Sequence, residues 1–339
     1  MANIKEIAEK CGLSVSTVSK ALNSYSDISS ATKDRVFKTA RECGYFPNSI
    51  ARALKTNRTN NIGVLFSDEA QSGLKQNYFA AVLDSFKVEA EAHDYDITFI
   101  NHNITIGNHP MSYLEHCRYR NFDGVCIACV DFQQPEVLEL VNSSFPVVTI
   151  DHVFDNHTSI NSANVEGMRE LVQYIFSLGH RKIAYVHGQK SAVSEQRITS
   201  FCKTLLNLGI KVRPEYLVLS AYHDPGSTRK AVEQLLALPD RPTCIVMPDD
   251  YAALGGIEAI EAVGIRIPED ISIAGYDGIS LTQVIRPKLT TLEQDTDRMG
   301  REAARRLIEQ IENPLTTIVE NITVPGRLLQ GQSVAQLRT

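Results

Sequence analysis

The chain has no tryptophan among its 339 residues, so any ring that stacks on a ligand is Tyr or Phe. No run of about 18 apolar residues occurs, and no membrane span is expected. The start, MANIKEIAEKCG, lacks a basic-then-apolar leader. Export is therefore not expected, and the cytoplasm is the expected compartment. Seven cysteines are scattered, mostly in apolar runs, which suits reduced thiols rather than a disulfide framework.

Catalytic signatures are lacking too. Neither Gly-x-Gly-x-x-Gly nor Gly-x-Ser-x-Gly occurs. In YVHGQKS, Gln189 stands where a phosphate loop needs glycine before Lys190. Cys126 and Cys129 form a Cys-x-x-Cys inside an apolar run, where strand geometry points the two thiols to opposite faces. His102, His109 and His116 recur at a spacing of seven, which fits no metal pair on one helical turn. No enzyme activity, metal or cofactor is expected.

What is present is unevenly charged. Residues 1–60 hold ten Lys/Arg against five Asp/Glu, a surplus of +5, so the rest carries −11 of the net −6. A basic head on an acidic body points to a polyanionic partner for the head, or to a merely solvated surface.

The head has helical spacing. Ile4, Ile7, Ala8 and Cys11 make one stripe, and Gly12 permits a reversal. Ser14 is placed to cap a second helix with Val15, Val18 and Leu22 inward. Ser29 is placed to cap a third, ended by Gly44. Three short helices with a tight first turn make a helix-turn-helix, whose second helix enters the major groove. Val15, Ser16, Thr17, Ser19, Lys20 and Asn23 are then the DNA interface: Val15 and Ser16 toward bases, Ser19 and Asn23 toward phosphates, Lys20 toward either. Beyond Pro47, Ala51 and Leu54 share one face of a further short helix, with Arg52 and Lys55 beside Leu54. That suits an apolar wedge in the minor groove, or a plain linker with an incidental leucine.

From Asn61 onward, short apolar runs (NIGVLF, DITFI, GVCIACV, PVVTI, then KIAYVHG, YLVLS, TCIVMP, ISIAGYD) alternate with helical patterns. Two such series mean two doubly wound parallel-sheet subdomains. Ligands bind beyond the carboxyl ends of such strands, where Asp151, Asp249 and Asp277 stand, with Arg197 on a nearby helix. Tyr78, Phe79 and Tyr222 are candidate stacking rings. Each aspartate has a plainer reading as a helix N-cap, Asp249 and Asp250 above all.

These pieces, together with SSATKDRVFKTARECGYFPNSIARAL, LGHRKIAYVHG, PDDYAALGGIEAIEAVGIRIPEDISIAGYDG and PKLTTLEQD, resemble the lactose/galactose-repressor family of bacterial transcription regulators along nearly the whole chain. The resemblance implies an all-α helix-turn-helix head joined by a hinge helix to an α/β core like the type I periplasmic binding proteins. It places the DNA-binding domain at 1–46 and the hinge and linker at 47–60. The N-subdomain is set at 61–159 and 290–321, the C-subdomain at 160–289 and 322–339. It implies a homodimer on a pseudo-palindromic double-stranded operator, with Ala51, Leu54 and Lys55 at the DNA and Leu54 as its central wedge. It also implies a small-molecule effector, a carbohydrate by family expectation, that controls operator affinity. Arg197, Asp249, Asp277 and Gln294 occupy effector-contact positions. Asp249 stands where many members carry Asn, and Asp250 matches a nearly universal Asp. The loop SDEAQSGLKQNYF is longer than usual. The effector's identity, and whether it induces or co-represses, stay open, because some relatives answer to a purine or a phosphoprotein. The rival reading is a carbohydrate-binding or carbohydrate-processing protein whose basic head is incidental.

Overall fold

The structure, a computed structural model, describes residues 2–23, 25–46, 53, 58–67, 77–101 and 105–337, in two compact units, 1–59 and 60–339. The first unit holds α1 (Ile4–Cys11), α2 (Val15–Leu22) and α3 (Ser30–Glu42). Asn3 accepts hydrogen bonds from Lys5 N and Glu6 N, which fixes where α1 begins. Gly12 turns the chain at φ 59°, a left-handed angle that glycine adopts without strain. Ile7, Ala8, Cys11, Val18, Ala21 and Val36 close a small core.

The second unit runs β1 (Asn61–Phe66), α4 (Asn77–Ala92), β2 (Asp96–Phe99), then a small hairpin of β3 (Thr105–Ile106) and β4 (His109–Pro110). Next come α5 (Tyr113–Arg120), β5 (Gly124–Ala128), α6 (Pro135–Val141), β6 (Val147–Ile150), β7 (Thr158–Ser162) and α7 (Asn164–Ser177). The second series is β8 (Ile183–His187), α8 (Ala192–Asn207), β9 (Leu217–Leu219), α9 (Pro225–Leu236), β10 (Cys244–Val246), α10 (Ala253–Ala262), β11 (Ser272–Asp277) and β12 (Thr290–Glu293). The chain ends on α11 (Thr296–Glu312), β13 (Asn321–Val324) and β14 (Arg327–Leu329). Among the described residues no helix is long and apolar enough to cross a membrane.

Two six-stranded sheets result, ordered β13-β7-β6-β5-β1-β2 and β14-β12-β11-β10-β8-β9. All neighbours pair in parallel except β14 with β12. The order reverses between β1 and β5 and again between β8 and β10, which marks the ligand-facing end of each sheet. The chain crosses between sheets after β7, between β12 and β13, and between β13 and β14. The family resemblance places the return crossing near residue 290. Instead Thr290–Glu293 pairs with β11 in the second sheet, and the crossing follows it. Cys129 also differs from the strand reading: it lies one residue past β5, at φ 54°.

Apolar faces fill both sheets. Val82, Phe86, Ala303, Leu307 and Ile308 pack α4 and α11 against the first. Those helices approach closely at Gly300, where an added Cβ would lie 2.2 Å from Val82 O and 2.6 Å from Phe86 N. Gly300→Ala gains about 1 kcal/mol of helix propensity, but overpacking against rigid backbone costs about 1–3. An approach of 2.2 Å to backbone puts the cost at the top of that range, so a net loss of about 2 kcal/mol in urea unfolding is expected. An unchanged unfolding midpoint would mean the helix pair yields freely.

Candidate functional site

In the head, Ser14 Oγ accepts from Thr17 N at 3.0 Å and lies 2.8 Å from Thr17 Oγ1. Thr17 therefore spends its hydroxyl on the cap, while Ser16 stays exposed and Val15, expected inward, is exposed as well, because the first residue of α2 lies outside the head's core. Asn23 Nδ2 donates to Ser19 O at 2.7 Å. Lys20 Nζ donates to Asp27 Oδ2 at 2.5 Å, a pairing that nothing in helical spacing announces. The contact raises the Lys20 pKa and lowers that of Asp27. A lysine held by a carboxylate is partly withheld from phosphates. Asp27→Asn is expected to tighten DNA binding a few-fold and steepen its log–log salt slope by about one per head. An unaltered slope in salt-titrated gel shifts would show that Lys20 never reaches a phosphate. Ala51, Leu54 and Lys55 lie outside the described residues.

In the larger unit the candidate ligand groups gather at the carboxyl ends of both sheets. From the first sheet, Asp151 follows β6 at φ 57°. Its Oδ1 accepts from Ser162 N at 2.8 Å, and its Oδ2 from the Tyr78 hydroxyl at 3.1 Å. Burial pushes the Asp151 carboxyl up. Phe79 meets Tyr78 edge-on at 4.9 Å and belongs to the core rather than presenting an open stacking face.

From the second sheet, Arg197 is 4 % exposed on α8. Its Nε donates to Asn164 Oδ1 at 2.7 Å and its Nη1 to Pro248 O at 3.4 Å. The guanidinium lies 3.6 Å from the Tyr276 ring centroid, a cation–π seat that fixes its plane. Tyr222 donates its backbone N–H to Gln189 Oε1, and its hydroxyl lies 3.0 Å from Ser194 Oγ. The Tyr222 ring occupies the space beside Gly188, where a Cβ would come within 2.2 Å of it.

The two neighbouring acids divide their work. Asp250 accepts from Gly278 N, Ile279 N and the Thr291 hydroxyl, so it ties the loop after β11 to β12. Asp249 accepts from Ala252 N and His223 N, both at 2.8 Å, and so caps the start of the segment leading into α10. It also faces His223, whose Nδ1 is 3.6 Å away. Asp277, at φ 103°, accepts from Gln294 Nε2 at 2.7 Å through Oδ1. Burial pushes the Asp277 carboxyl up to about 7 against the pull of Arg197, and the charge on Asp249 adds to the rise. Gln294 Oε1 is buried without a partner among the described residues.

Three of the seven non-glycine residues with positive φ among those described are Asp151, His223 and Asp277. Such backbone strain collects where side chains must be aimed. Asn164, His223 and Tyr276 belong to the constellation and carry no signal in sequence spacing. A small hollow lined by Ser162, Tyr276, Gln294, Met299 and Val324 adjoins the constellation at Gln294.

Residues 3–48 match the bacterial regulatory proteins of the lacI family, and residues 172–334 match a periplasmic binding protein-like domain. The HTH-type transcriptional repressor PurR of Pectobacterium carotovorum is 32 % identical over 343 residues, covering 99 % of this chain and 97 % of its own length. A lac repressor dimer bound to operator and the anti-inducer ONPF superposes with a TM-score of 0.82 at 24 % identity, over 98 % of this chain and 99 % of that one. The transcriptional regulator CelR in complex with cellobiose gives 0.70 at 23 %, over 98 % and 100 %.

Proposed function

Because this chain belongs to the lacI family of bacterial regulatory proteins, we propose that it is a cytoplasmic, homodimeric transcriptional repressor of a pseudo-palindromic operator, released or engaged by a small effector. Residues 1–46 read the major groove, and 47–60 form the hinge that sets Leu54 as a wedge in the minor groove. The observation that carries this reading is the exposed front of α2: Val15 and Ser16 stand open on a capped helix of a basic head.

The effector sits between the two sheets, against Arg197, Tyr222, Asp249, Asp277 and Gln294 from one side and Asp151 and Tyr78 from the other. A sugar is the class supported by the CelR–cellobiose likeness and by the mixture of donors, acceptors and rings. The effector therefore biases how the two subdomains pack, and that bias reaches the paired hinges. Coupling of about 1–3 kcal/mol gives roughly 5- to 150-fold control of operator affinity.

Gel-shift titration on genomic fragments tests the proposal. A palindromic footprint is expected, with affinity falling steeply as salt rises. Tight sugar binding with no sequence-preferring DNA complex would favour the carbohydrate-binding reading instead.

A further inference from the structure

Resting on that effector cleft, we infer that the ligand is an amino sugar, its protonated primary amine seated among His223, Asp249 and Asp277. One ligating atom from each of these residues lies within 4.8 Å of the other two. A point therefore exists no more than about 2.8 Å from all three, the length of a charge-assisted N–H···O bond. An ammonium group has three N–H donors, one for each carboxylate and one for the His223 ring nitrogen in its neutral form. A sugar hydroxyl has one donor and leaves two acceptors facing each other.

Charge makes the same argument. Two buried carboxylates, Asp249 and Asp277, share one buried guanidinium, Arg197, with the His223 ring beside them. Buried charge without a partner is costly, and the shortfall is met by protons or by a cationic ligand. The raised Asp277 carboxyl is the sign of protons filling that role in the free protein. The second indication is independent of the acids. Gln294, which holds Asp277 Oδ1 through Nε2, buries its Oε1 with no donor among the described residues. A ligand rich in N–H and O–H donors satisfies it. A uronic acid or a phosphorylated sugar brings the opposite charge to the same wall.

The test uses the full chain and a matched panel: glucosamine, galactosamine and mannosamine against the parent hexoses, the N-acetylated forms and glucuronate. Binding is read by calorimetry at neutral pH with chelator present, and in parallel by gel shift. At least one free amine should bind at least tenfold tighter than its hydroxyl and N-acetyl counterparts. Asp249→Asn should shrink that preference. Equal or tighter binding of a neutral sugar, tighter binding of glucuronate, or no binding of any amine overturns the inference. So does saturable binding of Zn²⁺ or Mn²⁺ alone when chelator is omitted, which would make the trio a metal site. A neutral sugar that shifts operator affinity sinks the amine and leaves the repressor standing. Amine binding without any operator complex does the reverse.

Discussion

Asp277→Asn is expected to remove the effector response while effector-free operator binding persists. The amide keeps an oxygen for Gln294 Nε2, so the 2.7 Å hydrogen bond survives. What is lost is a carboxylate that ionises when ligand donors arrive. A charged hydrogen bond is worth about 1.5–3 kcal/mol, so effector affinity should fall roughly tenfold to 150-fold. Stability should move differently. Asp277 is raised from 3.8 to about 7, with Arg197 and His223 opposing the shift and Asp249 adding to it. Between those two pH values the folded chain keeps a proton that the unfolded chain has lost. Asp277 therefore supports folding in acid and withdraws that support as pH rises through about 7. Melting curves should show the wild type losing ground to the Asn variant between about pH 4 and 7 and levelling off above that. Parallel pH profiles would mean that Asp277 is ionised throughout.

Ser16→Glu should reduce operator affinity at least about thirtyfold without unfolding the head. Ser16 is exposed in the first turn of α2, two residues beyond the Ser14 cap. An acid there complements the positive end of the helix, so the head keeps its stability. Facing DNA, the same carboxylate meets phosphates and removes a small donor from the base edges. A loss of about 1–3 kcal/mol per head is doubled in a dimer. Sugar binding should be unchanged. Near-normal operator affinity in fluorescence anisotropy would place the reading surface elsewhere.

The strands of both sheets were mostly legible, because parallel strands buried on both faces read as continuous apolar runs such as NIGVLF and TCIVMP. TSINS was not. Its Thr158, Ser159 and Ser162 are buried, and their polar atoms are satisfied across the sheet. Ser159 donates to Asn321, Thr158 Oγ1 accepts from Glu320 N, and Ser162 N donates to Asp151. A polar strand paired with a segment some 160 residues away leaves no local pattern. The cleft shows the same limit. Aspartates at strand ends follow from topology, and Arg197 and Gln294 follow from the family resemblance. Asn164 and His223 depend on bonds to Arg197 and Asp249, 33 and 26 residues distant in sequence, and no spacing rule reaches that far. The Asp27 partner of Lys20 escaped because it lies beyond the helix that carries the lysine.

Only two residues, Pro325 and Gly326, separate β13 in one sheet from β14 in the other. So short a strap cannot lengthen. At that edge the halves are free to pivot like a wrist but not to draw apart. Dyes placed beside the strap would report almost no change in separation when the effector binds, whereas dyes at the far rim would register the full swing.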